Sequence, residues 1–65
     1  MVRYRAEFFD ADGKVVHLRF ADAATIAEAE MYERANCARV HAIGFRLHDP
    51  DTDKVLEIWD SKTNA

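Results

Sequence analysis

The residues whose spacing most suggests site chemistry are three alternate aspartates, Asp49, Asp51 and Asp53. Carboxylates at positions 1, 3 and 5 begin a calcium-binding loop, and Asp60 stands at the twelfth place of such a loop. The loop also has Gly at its sixth place, where this chain has Lys54, and usually Glu at its twelfth. The sequence therefore predicts no metal site here, and the segment is interpreted as an Asp-rich turn.

The histidines and the cysteine do not supply a second site. His17, His41 and His48 are too scattered for any standard metal spacing, and Cys37 has no activating motif or orienting third group. A lone cysteine excludes an internal disulfide and is interpreted as a small buried or half-buried residue. A domain of 65 residues has little room for a catalytic pocket. We therefore predict a protein that is not an enzyme and that has no cofactor.

Size and charge restrict the partners. The chain has 65 residues, with 12 Asp and Glu against 9 Lys and Arg, so one small, mildly acidic domain is expected. A simple nucleic-acid binder would usually be basic, which makes nucleic acid the less favoured partner. No signal peptide is recognisable and no apolar run approaches the ~18 residues of a membrane span, so a cytoplasmic protein is predicted.

The segment 22–37 is predicted to form the one substantial helix. Asp22 is a candidate N-cap, but Thr25 and Glu28 have capping-box spacing, which would start the helix three residues later. The 3.6-residue period predicts a packing stripe of small residues around Met31. This stripe comprises Ala24, Ala27, Met31, Ala35 and Ala38.

Apolar alternation predicts strands at 2–9, 14–20, 39–48 and 54–59, with an Asp-rich turn in each hairpin. The order β-β-α-β-β predicts a two-layer α+β domain over 1–60, in which one helix covers one face of a four-stranded, largely antiparallel sheet. The polar segment 61–65 is predicted to be a frayed tail. The predicted core comprises Met31 with Tyr4, Phe8, Val16, Leu18, Phe20, Ile43, Phe45, Leu47, Leu56 and Ile58.

The two outer surfaces differ in charge and lead to different functions. The predicted open face of the sheet is basic and aromatic, and it is a platform for single-stranded nucleic acid, a half-exposed face or a dimer interface. Its residues are Arg3, Arg5, Phe9, His17, Arg19, Arg46 and Trp59, with Val15, Val40 and Val55. A predicted acidic surface, either solvated or a contact for a basic partner, lies on the helix and turns. It comprises Asp10, Asp12, Glu30, Glu33, Asp49, Asp51 and Asp53.

The layout of hairpin, Ala/Glu-rich helix and hairpin resembles the small phage-encoded anti-CRISPR inhibitors. The stretch that carries the resemblance is FADAATIAEAEMYERANCARVHAIGFRL, followed by KVLEIWD. The resemblance implies a non-enzymatic protein in the bacterial cytoplasm, monomeric or homodimeric, that binds a CRISPR effector complex and blocks target DNA or nuclease recruitment. The acidic surface would then compete for a Lys/Arg-lined channel, whereas the Arg-rich open face departs from a pure DNA mimic.

Overall fold

The computed structural model describes residues 1–64, with side chains as far as residue 62, and forms one four-stranded sheet with one long helix. The strands are all antiparallel to their neighbours, in the order β2-β1-β3-β4. The predicted fold class is therefore confirmed. The elements are β1 (Val2–Phe9), β2 (Val15–Ala23), α1 (Ile26–Arg39), β3 (Gly44–His48), β4 (Val55–Asp60) and α2 (Ser61–Asn64).

Helix α1 begins at the later of the two predicted starts. Thr25 is the N-cap, and its Oγ1 accepts a hydrogen bond from the backbone N–H of Glu28 at 3.1 Å. The Glu28 carboxylate reaches back to the backbone N–H of Ala24 at 3.2 Å, so both residues satisfy free donors at the helix start. Asp22 lies in β2 and is not the cap.

The helix ends in a Schellman motif that shortens the following strand. The backbone N–H of Ala42 donates to the Cys37 carbonyl at 3.1 Å, and His41 between them is left-handed, with φ of 59°. The helix and this motif occupy residues that were predicted as strand 39–48, so β3 begins only at Gly44. After β4, residues 61–64 form the short helix α2 where a frayed tail was predicted, and Ala65 lies outside the described residues.

The hairpin register decides which side chains face α1. Ala6 on the central strand β1 lies opposite Arg19 on β2 and Leu47 on β3, and Phe8 lies opposite His17 and Phe45. Directly opposed residues of antiparallel strands point to the same face. Arg19 and His17 therefore lie on the helix side of the sheet, and the alternate residues of β2 point away from it.

This register overturns part of the predicted core. Tyr4, Phe8, Phe45 and Leu47 are fully buried as predicted. The buried set also includes Ala6, Phe9, Ala23, Ala29 and Cys37. The prediction was wrong for five large side chains, which are exposed. They are Val16, Leu18, Phe20, Met31 and Ile58.

The face that α1 presents to the sheet differs from the predicted alanine stripe. Ala29, Glu33 and Cys37, spaced four residues apart, are its buried residues. Met31 is 63% exposed on the outer side of the helix. The small side chains Ala21 and Ala23 of β2 pack on the core beneath the helix, which permits a close approach of helix and sheet.

Glu33 is a fully buried carboxylate whose oxygens are satisfied by three side chains. The Tyr4 hydroxyl donates to Oε2, and the Asn36 amide donates to Oε1 at 3.1 Å. The Nε of Arg19 lies 3.4 Å from the same Oε1. Burial of a carboxylate is tolerated because its charge is paired and hydrogen-bonded.

The buried Tyr4 hydroxyl predicts a loss of stability in alkali. Burial and its hydrogen bond to Glu33 raise the Tyr4 pKa well above the ordinary value. The unfolded chain ionises Tyr4 near pH 10 while the folded chain keeps the proton, so stability is complete below about pH 10 and falls as the pH rises past it. Urea unfolding at pH 9, 10 and 11 measures how the free energy of unfolding changes with pH. A Tyr4→Phe control is expected to show a shallower fall, and an equally steep fall would contradict the assignment.

Candidate protein-binding face

The side of the sheet that points away from α1, called here the uncovered face, has a compact charged centre. The Glu7 carboxylate on β1 lies at its middle. The Arg5 Nε donates to Glu7 Oε2 at 3.1 Å, and the Arg46 Nη2 lies 3.6 Å from Oε1. The His48 Nε2 lies 3.4 Å from the same Oε1. The centre is therefore largely neutralised from within.

The β3–β4 turn contributes one further acid to this centre. Arg5 also forms an ion pair with Asp53, and this hydrogen bond holds the pKa of the Asp53 carboxyl below its ordinary value. The imidazole of His48 is packed beside the turn, with Nδ1 3.4 Å from the Asp53 carbonyl oxygen. His48 is 8% exposed, and its Nε2 has no hydrogen-bond partner among the described residues.

Apolar side chains flank the charged centre on both edge strands. On β2, Leu18 lies opposite Glu7 and Phe20 lies opposite Arg5, and these side chains are 50% and 68% exposed. On β4, Ile58 lies opposite Arg46 and is 55% exposed. The uncovered face thus has an apolar flank on each side of a paired ionic strip. Clustered exposed apolar side chains mark interaction surfaces.

Two further predicted residues of the open face lie on this side. Phe9 is 8% exposed, and the Arg46 guanidinium lies 5.1 Å from the centre of its ring. Arg3 is well exposed at the margin, with its Nε 3.6 Å from Asp22. Phe9 is thus covered by Arg46, and it is not an available stacking platform.

Three other residues of the predicted open face, Trp59, His17 and Arg19, lie on the helix side, which corrects the prediction. The Trp59 ring is stacked on Phe45 at 5.6 Å, and the Arg34 guanidinium of α1 lies 5.1 Å from the Trp59 ring centre. His17 and Arg19 also face the helix side, where they line a cleft. The residues of the predicted basic and aromatic face are therefore divided between the two sides of the sheet.

The predicted acidic surface is divided. The β1–β2 turn follows Phe9, and the β3–β4 turn follows His48. Because His48 lies opposite Arg5 on β1, the two turns lie at opposite ends of the sheet, at least about 13 Å apart. Glu33 is buried, so its prediction as an exposed residue is wrong. Glu30 lies 4.0 Å from Arg34 on the helix surface.

Within the turns, most carboxylates already have partners. Asp10 Oδ1 accepts hydrogen bonds from the backbone N–H groups of Asp12 and Lys14 at 2.9 and 3.0 Å. Asp49 Oδ1 accepts from the N–H of Asp51 at 2.8 Å and from that of Thr52. These two aspartates therefore stabilise the turns. The carboxylates of Asp12 and Asp51 are exposed and have no partner among the described residues.

Sequence reasoning missed Leu18, Phe20 and Ile58 as surface residues because their alternation also fits a buried face. One signal lay in the second half of β2, where Ala21 and Ala23 are in phase with His17 and Arg19. Small residues in that phase indicate the side on which a helix packs closely. That phase assigns Leu18 and Phe20 to the opposite face.

Comparison with protein-family models, curated proteins and solved structures gives no match for this chain. Within the part of the chain that the structure describes, no group of three His, Cys, Asp or Glu residues is placed to hold a metal ion. None of the helices in residues 1–64 is long and apolar enough to cross a membrane.

Proposed function

We propose that this chain is a non-enzymatic binding protein that acts by occupying the surface of a protein partner. The observation that carries the proposal is the exposure of Leu18, Phe20 and Ile58 on the sheet face that points away from α1. Large apolar side chains that remain exposed in a small domain mark an interaction surface. The specific form of the hypothesis, from the anti-CRISPR resemblance, is a partner within a CRISPR effector complex.

The charged centre of the uncovered face supports a protein partner. Glu7 lies between Arg5 and Arg46, and Asp53 is paired with Arg5. Burying an ion is most costly when its charge is left unpaired. Because the charges of this strip are already paired with one another, another protein could cover it while leaving few charges uncompensated. A nucleic-acid backbone would instead have to compete with Glu7 and Asp53 for the same guanidinium groups.

The contact is accordingly proposed on the uncovered face. The separation of the acidic turns and the burial of Glu33 argue against a single acidic patch that mimics nucleic acid. Asp12 and Asp51 keep free carboxylates. Substitutions at these two residues therefore test contact through the acidic turns against contact through the uncovered face. A second copy of the chain is the alternative occupant of the same face, and it is distinguished by self-association.

Substitution on the uncovered face is expected to abolish binding while the fold survives. Phe20→Ser removes an exposed aromatic ring from the β2 flank, and truncation of such an anchor typically costs about 2 kcal/mol or more, which is about a thirtyfold loss of affinity. The assay measures binding to purified CRISPR effector complexes by titration calorimetry, alongside inhibition of their binding to target DNA. Leu18→Ser is expected to act in the same direction.

The matched control is Met31→Ser, which removes an equally exposed apolar side chain from the outer side of α1. It is expected to leave affinity unchanged. Unchanged binding in Phe20→Ser and Leu18→Ser, with loss in Asp12→Lys or Asp51→Lys, would return the contact to the acidic surface. Failure of the wild-type chain to bind any effector complex would refute the CRISPR form of the proposal. Concentration-dependent dimerisation that Phe20→Ser abolishes would identify a second copy as the occupant.

A further inference from the structure

A cleft of about 350 Å³ lies on the helix side of the sheet, between the first half of β2 and the last turn of α1. We call it the cationic cleft, and its lining residues are His17, Arg19, Asn36, Arg39 and Val40. It forms because His17 and Arg19 project from the helix side of β2 where the helix ends. The cleft lies across the sheet from the uncovered face, and it is independent of the proposed protein contact.

The charges of the cleft are opposite to those of the whole molecule. The chain has a net charge of −3, yet the cleft is lined by two arginines and a histidine. The acid paired with Arg19, Glu33, is fully buried beneath the cleft and also accepts from Tyr4 and Asn36. A local excess of cationic donors in an acidic protein favours an anionic ligand.

The two guanidinium groups retain donors for such a ligand. The Nε of Arg19 lies 3.4 Å from Glu33, and within the described residues this is the only ion pair of Arg19. The pairing holds the group in place and leaves its terminal nitrogens uncommitted. Arg39 is exposed and has no ion pair or hydrogen bond from its side chain to any described residue. Guanidinium forks bind phosphate and carboxylate oxygens in bidentate geometry.

We infer that the cationic cleft binds a small phosphate-bearing anion through Arg19, Arg39 and His17. Two guanidinium forks and an imidazole offer more donors than the two oxygens of a carboxylate can accept, whereas a phosphate monoester has three terminal oxygens. The volume is at the low end of small-molecule sites, and Val40 is the only apolar lining residue. The site therefore suits a phosphate on a short polar group.

The test is an NMR titration of the whole ¹⁵N-labelled chain in phosphate-free buffer at constant ionic strength. Inorganic phosphate and methyl phosphate are the probes, and sodium acetate provides the carboxylate comparison. Phosphate is expected to produce saturable shifts confined to the cleft residues, with a Kd of about 1–10 mM for so small a ligand. Acetate is expected to bind at least about tenfold more weakly, because it offers fewer acceptor oxygens.

Arg39→Gln is the decisive variant because the Arg39 side chain has no structural partner among the described residues. It is expected to weaken phosphate binding at least about tenfold, the loss of one charge-assisted contact. Its removal from the exposed last turn of α1 is expected to leave the chain folded, since the surface charge of a last turn contributes little to helix stability. Arg19→Lys, which keeps the charge but loses the fork, is expected to weaken binding in the same direction.

Arg3→Gln is the matched control, since it removes the same charge from the margin of the uncovered face. It is expected to retain wild-type phosphate affinity. Equal weakening by Arg3→Gln and Arg39→Gln, shifts that do not saturate, or acetate binding as tight as phosphate binding would each overturn the inference. Loss of phosphate binding in Arg39→Gln alone, with the circular dichroism spectrum unchanged, would support it.

Discussion

Replacing Glu33 with alanine is expected to destabilise the domain by about 3 kcal/mol. The Tyr4 hydroxyl, which is fully buried, would lose its acceptor, and an unsatisfied buried donor costs about 1–3 kcal/mol. The cavity left by the missing side-chain atoms adds to this cost. The total stability of so small a core is about 3–5 kcal/mol, so the Glu33→Ala chain should retain only about 0–2 kcal/mol.

Urea unfolding followed by circular dichroism measures the effect, and three variants separate its causes. Glu33→Gln keeps the shape and one acceptor oxygen, and it should cost less, about 1–2 kcal/mol. Tyr4→Phe removes a hydrogen bond to a charged group, worth about 1.5–3 kcal/mol. Glu30→Ala removes a neighbouring carboxylate from the helix surface and should stay within about 0.5 kcal/mol of wild type. A Glu33→Ala chain as stable as Glu30→Ala would contradict the network.

This buried network also explains where sequence reasoning succeeded and where it failed. The period of each element is a local property, so the antiparallel α+β fold was predictable, as were the Asp-rich turns and the Thr25–Glu28 capping box. The phase of an element against its neighbour is not local. Glu33 and Arg19 each look like surface residues, and the burial of Glu33 becomes favourable only when it meets Arg19, Tyr4 and Asn36.

The predicted open face was partly wrong because the phase of β2 was predicted wrongly. Assigning Leu18 and Phe20 to the core set the other face of β2, with His17 and Arg19, on the outside. The actual register inverts this strand, because Ala6 and Phe8 lie opposite Arg19 and His17. The observed phase of β2 therefore accounts for both the apolar flank formed by Leu18 and Phe20 and the cationic cleft. The phase of β4 was wrong in the same way, since Ile58 is exposed and Trp59 faces the helix side. Arg3, Arg5 and Arg46 were placed on the correct face, because β1 and the middle of β3 were predicted in phase.

Gly44→Ala is expected to destabilise the domain by about 3 kcal/mol through steric overlap. A Cβ at Gly44 would lie 2.4 Å from the Trp59 carbonyl oxygen, 2.6 Å from the Phe9 ring and 3.0 Å from the Asp60 Cα. Two of these three atoms belong to the backbone of β4, which cannot retreat without opening its ladder with β3. Overpacking of a rigid site typically costs about 1–3 kcal/mol, and backbone contacts place this one at the upper end.

Gly13→Ala is the control that separates overlap from backbone freedom. Gly13 has φ of 83° in the β1–β2 turn, and an added Cβ there would meet nothing within 4 Å. Its substitution should cost only about 1 kcal/mol, the ordinary penalty for a side chain in left-handed conformation. Equal losses from the two substitutions in urea unfolding would refute the overlap.

Because the Phe9 ring at Gly44 lies beneath Arg46, Gly44→Ala should also weaken partner binding at temperatures where the chain is still folded. Gly13→Ala should not, since its turn lies beyond the ionic strip.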